Sequence, residues 1–222
     1  MLQRINKKII FYIFLVIILG TLNNKNLKNF DIPKINIVDI EGIEFNDDEY
    51  SKIKNLMKLN NLLFIQKSQI KEILNSNNLI EKYEVFKRYP SSIEIKIEKT
   101  NFLASTNING KNYLVGSNGK FINTKEYSQN LPFVFGNFKT EQFLELKNII
   151  LQSEFKYNKI KNFYYFPSGR WDIEMNSGVL IKLPNKGIKE SLNLSIDLLD
   201  NIEFSNIKIL DIRQKNQIVT ND

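Results

Sequence analysis

Any chemistry this chain performs must use carboxylates, amines and guanidinium groups, because its 222 residues include no histidine and no cysteine. Those two absences exclude Ser-His-Asp and Cys-His nucleophilic pairs, thiolate or imidazole zinc sites, haem attachment and disulfides. What remains for catalysis is an acid and base pair drawn from the 24 Asp and Glu, as in a carboxylate-dependent hydrolase. Most of those acids alternate with lysines along faces that read as solvated. The sequence therefore predicts no enzyme, no catalytic residue, no cofactor and no metal site.

Recognition chemistry is better represented, and it concentrates at the C-terminus. In ILDIRQKNQIVTND, residues 209–222, Ile209, Asp211, Arg213, Lys215, Gln217 and Val219 would line one face of a strand, and Leu210, Ile212, Gln214, Asn216 and Ile218 the other. The first half reads as buried and the second as solvated. No further segment supplies a neighbour, so one edge of this expected single strand keeps unpaired backbone donors and acceptors, which proteins cover, charge or use.

The net charge of +7 invites a nucleic-acid reading, which its distribution weakens. Residues 1–34 carry six Lys and Arg against one Asp, net +5; residues 35–99 carry ten against eleven, net −1; residues 100–222 carry fifteen against twelve, net +3. Most of the excess flanks an apolar stretch, where it would meet anionic lipid headgroups. A nucleic-acid face needs Lys and Arg clustered within the folded part.

That stretch, residues 9–22, is broken only by Gly20 and Thr21. As a helix it rises about 21 Å, short of the roughly 30 Å hydrocarbon core, and length alone suits a signal-peptide core better. Lys7 and Lys8 can extend the span by snorkelling, and the following Thr21-Leu22-Asn23-Asn24 is not a small-x-small cleavage site. We therefore expect an uncleaved transmembrane helix over 9–22, with a cleaved signal and a buried core helix as the alternatives. Flanking charges are nearly tied and only slightly favour a cytoplasmic N-terminus, residues 1–8. Residues 23–34 form the expected linker.

Behind the linker the pattern is strand, helix, helix, strand, strand. Residues 35–41 alternate and close on Gly42. Asn46 to Glu49 offer a helix cap, and Tyr50, Ile53, Leu56 and Met57 make the stripe that follows. A shorter helix from Ser68 carries Ile70, Ile73 and Leu74. Two strands then meet at Pro90, the second with Ile93, Ile95 and Ile97 on one face and Ser92, Glu94, Lys96 and Glu98 on the other. Downstream, Asn109-Gly110 and Asn118-Gly119 mark tight turns, as does Asn176-Ser177-Gly178. One amphipathic helix opens at Thr140 with Phe143, Leu146, Ile150 and Leu151. Another, over 188–201, carries Leu192, Ile196 and Leu199.

The β-α-α-β-β order, with VFKRYPSSIEIKIEK ending in Glu98 and Lys99, resembles a POTRA domain, although Asn101 stands where Pro is common. A short apolar segment, one POTRA-like module, then LPFVFG, GRWDIEMNSGVLIKLP and LDIR occur in the order of the FtsQ/DivIB family of bacterial cell-division proteins, and the resemblance covers essentially the whole chain. It implies an α+β protein: an N-terminal transmembrane helix, a POTRA domain over 35–101, and a mixed β-sheet domain with two main helices over 102–222.

The same resemblance implies a single-pass inner-membrane protein at the division septum, with its C-terminal domains in the periplasm. It would act as a non-catalytic scaffold binding FtsB and FtsL, with FtsB adding a strand along the terminal strand. The docking residues would be Gln214, Lys215, Asn216, Gln217, Ile218 and Val219, with Arg170 (in GRW) and Arg213 (in LDIR) meeting acidic partner side chains. Gln214 stands where the family often has an aromatic residue. For both arginines the alternative is ordinary surface charge. The POTRA module would offer a second protein-binding surface, with residues 80–88 as a candidate edge. The runner-up reading is a periplasmic POTRA-type polypeptide-binding protein of outer-membrane assembly or secretion.

Overall fold

Alternation with period two over 93–97 becomes a buried strand in the computed structural model, which describes residues 7–22, 32–43, 47–124, 130–200, 207–214 and 217–221. An apolar helix α1 (Lys7–Leu22) comes first, followed by β1 (Ile37–Glu41), α2 (Asp47–Lys58), α3 (Lys67–Ser76), β2 (Ile80–Arg88) and β3 (Ser92–Lys99). The β-α-α-β-β order expected from the periodicity is present, and the three strands form a sheet in the order β1-β3-β2. The expected cap at Asn46 lies outside the described residues.

At 16 residues, α1 rises about 24 Å. Among the described residues no helix is long and apolar enough to cross a membrane. The reason is its length, not its composition: residues 9–19 are apolar throughout and all exposed.

The chain divides into two compact units, residues 1–39, 45–66 and 86–94, and residues 40–44, 67–85 and 95–222. In the first, Ile35, Ile53, Met57, Leu62, Ile65 and Ile93 are buried. Glu94, expected on a solvated face, is buried there as well. Arg88 bonds to it with Nε at 2.6 Å, and the pairing lets a carboxylate leave water.

In the second unit Ile70 and Leu74 of α3 are buried with Ile80, Ile95 and Ile97. Gly42 is required by geometry, since its φ is +102° and a Cβ would overlap the Ile97 carbonyl. Beyond these lie β4 (Phe102–Ile108), β5 (Lys111–Gly116), β6 (Phe121–Asn123), β7 (Phe133–Phe135), α4 (Thr140–Gln152), β8 (Ile160–Tyr165), β9 (Trp171–Met175), β10 (Leu180–Lys182), α5 (Ile188–Leu199), β11 (Ile209–Gln214) and β12 (Gln217–Asn221). A polar cluster ties the β5–β6 turn to the start of β2. Glu81 Oε2 accepts from Thr100 Oγ1 at 2.9 Å and Ser117 Oγ at 2.8 Å, while the Asn118 amide donates to the Asn78 and Ile80 carbonyls.

The nine strands from β4 onward form one sheet in the order β12-β11-β10-β9-β8-β7-β4-β5-β6. It is mixed: β4 with β7, β7 with β8 and β10 with β11 are parallel, the other pairs antiparallel. The two later parallel connections carry α4 and α5, as parallel neighbours require a crossover. Both helices pack on the apolar core of Phe143, Leu146, Ile150, Phe163, Trp171, Ile173, Leu192 and Leu210. Leu151, expected on the buried stripe of α4, is exposed instead, because Ile150 takes the inward position. The central strand β8 has no period-two pattern in the sequence, since aromatic residues occupy both of its faces.

Candidate partner-binding edge

The last strand expected from the sequence is a hairpin. β11 pairs in parallel with β10 on one side and antiparallel with β12 on the other, with Ile209 opposite Asn221, Asp211 opposite Val219 and Gln214 opposite Gln217. Between Asp211 and Gln214 the register shifts, because Ile212 and Arg213 together face Ile218, a bulge that adds local twist. A continuous docking strand over 214–219 is therefore corrected. Gln214 closes the enclosed strand β11, Lys215 and Asn216 lie outside the described residues, and Gln217, Ile218 and Val219 belong to β12. Every residue of β12 is exposed, and among the described residues its outer edge has no strand beside it in the sheet.

Beside this edge runs a groove of about 840 Å³, between the hairpin and the start of α5. Its apolar lining includes Pro184, Leu194, Ile212 and Ile218, and Glu190 and Arg213 add charge. The bulge contributes to it by bringing both Ile212 and Arg213 to the same place. Of these residues the sequence reading identified Arg213 and Ile218. Leu194 and Pro184 escaped it, since only the tertiary fold brings α5 against the hairpin.

Register also builds a charged row across the sheet. Asp172 of β9 lies opposite Lys182 of β10, which lies opposite Asp211 of β11, which faces Val219 of β12. Arg170 donates from Nε to Asp172 Oδ1 at 3.1 Å, and its guanidinium carbon stands 4.2 Å from the centre of the Phe166 ring. Arg213 grips Asp211 bidentately, Nε to Oδ1 at 2.8 Å and Nη2 to Oδ2 at 2.5 Å. The two arginines thus share one pattern. Each sits two residues from an Asp, the spacing that puts both side chains on one face of a strand, a signal legible in RWD and DIR.

Burial separates the two pairs. Asp172 is 2% exposed, and desolvation pushes its carboxyl above the ordinary range, against the pull of Arg170, Lys182 and Arg213. Asp211 is held below the ordinary range, chiefly by its hydrogen bond from the Arg213 side chain. Glu174, next along β9, is also lowered, first by the Tyr164 hydroxyl at 2.6 Å and then by Asn162. Arg213 is exposed and can exchange its partner for another acid. Arg170 is committed to a carboxylate that has no water to replace it.

Together these features define the second unit's larger part as a mixed α+β domain with β12 at one rim of its sheet. Residues 104–213 match the family model described as "Cell division protein FtsQ/DivIB, C-terminal", and this domain is of the FtsQ/DivIB C-terminal type. Cell division protein FtsQ of Rickettsia bellii (strain RML369-C) is 29% identical over 189 residues, 83% of this chain and 70% of that protein. FtsQ of Rickettsia conorii is 27% identical over 192 residues with the same shares. Cell division protein DivIB of Clostridium botulinum (strain Loch Maree / Type A3) is 26% identical over 148 residues, 65% of this chain and 55% of that one. The extracytoplasmic domain of DivIB from Geobacillus stearothermophilus aligns at a TM-score of 0.36 and 14% identity, over 50% of this chain and 99% of that chain. The family assignment rests on sequence.

Proposed function

We propose that this cell-division protein is a non-catalytic scaffold of the divisome. Its C-terminal domain, taken as residues 102–222, captures a segment of FtsB, within a complex that includes FtsL, by strand addition along β12. The observation that carries the reading is the free edge of β12 beside an apolar groove. Alternate residues of an antiparallel edge present their N–H and C=O outward. Five residues therefore offer roughly four to six hydrogen bonds, each worth about 1 kcal/mol net. That total corresponds to a dissociation constant between about 1 mM and about 0.04 mM. Backbone pairing sets the mode of binding, then, and affinity has to come from side chains in the groove and from Arg213.

In this reading α1 anchors the chain in the inner membrane with its N-terminus in the cytoplasm. Its support is an apolar surface on all sides, with Lys7 and Lys8 able to lengthen the span by snorkelling. Residues 35–101 act as a POTRA-type module in the periplasm, engaging other division proteins at the septum.

Proline substitution tests the edge. Because N–H groups alternate between the two sides of a strand, one of Ile218→Pro and Val219→Pro removes an outward donor and the other an inward one. The outward variant should weaken capture of an FtsB segment in a pull-down while its circular dichroism stays unchanged. Equal capture by both variants would remove strand addition at β12.

A further inference from the structure

Three large apolar side chains stand in water on the connection between α2 and α3: Leu59 is 78% exposed, Leu63 57% and Phe64 69%. Their exposure is held in place by the fold. The flanking Leu62 and Ile65 plug the core of the first unit, Asn61 Oδ1 accepts from the backbone N–H of Leu63 at 3.2 Å and of Phe64 at 3.0 Å, and Lys87 Nζ donates to the Leu62 carbonyl. A rigid turn that fixes apolar side chains outward marks an interaction site.

Two observations point to the occupant. From Ser51 to Gln66 the sequence has three lysines and no acid, and Lys52 and Lys58 are exposed. The turn is also stitched to the strand of chain arriving from the apolar helix. Lys34 bridges Asn61, and the Ile35 N–H donates to the Asn60 carbonyl at 3.1 Å. Eleven residues lie between Leu22 and Lys34, twelve steps along the chain that limit their distance to about 40 Å at full stretch.

We propose that this turn dips into the surface of an anionic lipid bilayer, with Leu59, Leu63 and Phe64 among the acyl chains and Lys34 and Lys58 among the headgroups. Leucine and phenylalanine flanked by lysine are the composition that interfacial binding uses, and apolar insertion and headgroup attraction add. The contact rests on the reading of α1 as a membrane anchor, and it adds a second foothold that restricts how the first unit tilts on its tether.

The chain has no cysteine, so single Leu63→Cys and Phe14→Cys variants of the full protein can each carry one environment-sensitive fluorophore. They would be reconstituted in vesicles of phosphatidylglycerol and phosphatidylethanolamine bearing nitroxide lipids. Both labels should shift to the blue and lose emission to the nitroxide. At position 63 the effect should shrink when Leu59 and Phe64 are both changed to Ser, and when a zwitterionic lipid replaces phosphatidylglycerol. Quenching at 14 without quenching at 63 overturns the turn's lipid contact and leaves the anchor standing. Quenching at 63 that survives the double Ser change also overturns it. Quenching at 63 without quenching at 14 supports the contact and removes the anchor, and quenching at neither removes both.

Discussion

Arg170 and Arg213 look alike in sequence and differ in what they can give up. An exposed ion pair contributes little to stability, so Arg213→Ala should leave the melting temperature unchanged. It should weaken capture of an acidic partner segment, more so at low salt. Removing Arg170 strands a carboxylate that is almost fully buried, which typically costs about 2–3 kcal/mol. Arg170→Ala should therefore lower stability in urea unfolding at pH 7, and adding Asp172→Asn should recover most of the loss.

The two aspartates also give opposite pH signatures. Asp211 is depressed in the folded state, so it stabilises the fold above the ordinary carboxylate pKa of about 4, and that contribution drains as pH falls through its lower folded value. Asp172 is raised, so its ionisation works against folding above its folded value and ceases to do so as pH falls. Carbon-detected NMR titration should show the Asp211 midpoint moving up in Arg213→Ala and the Asp172 midpoint moving up further in Arg170→Ala.

At the level of elements, the sheet depends on backbone approaches that side chains cannot replace. Gly136 ends β7 with φ +101°, and a Cβ there would overlap the Tyr165 carbonyl at the end of β8. Gly136→Ala combines a left-handed conformation with a backbone clash, and should destabilise the domain by about 2–4 kcal/mol in chemical denaturation. The hairpin β11–β12 is a different case. It adds an outermost strand with little buried surface of its own, so hydrogen exchange should be fastest at β12 and slow on binding a partner.

For the whole molecule, the proposed function divides the labour between a tether and a docking edge. A fluorescent fusion of the full chain should collect at the septum, and depletion of the protein should leave cells filamentous. Removing residues 1–22 should disperse the fusion without unfolding the second unit, whose core draws on none of those residues. Septal foci from a chain lacking its apolar helix would show that docking, not anchoring, sets its position.

The sequence by itself determined the local elements. Helix stripes such as Ile53 with Met57 and Phe143 with Ile150, and turn chemistry such as Asn109-Gly110 with φ of +52° and +78°, involve neighbours in the chain and need no knowledge of the rest. Only the tertiary structure decided where the rim of the sheet lies. Period-two alternation carries no sign of direction: Ile212 and Ile218 share a parity, as do Asp211 and Val219, whether the chain runs straight on or doubles back between β11 and β12. A strand that reverses keeps its faces while exchanging its edge. Asp211 and Val219 stand together as that parity has it, the bulge brings Ile212 and Arg213 to one place against it, and which backbone groups stay unpaired is fixed by long-range pairing. The same long-range pairing buries Glu94 against Arg88 and commits Arg170 to Asp172, because burial belongs to the assembled sheet and not to the sequence window around each residue.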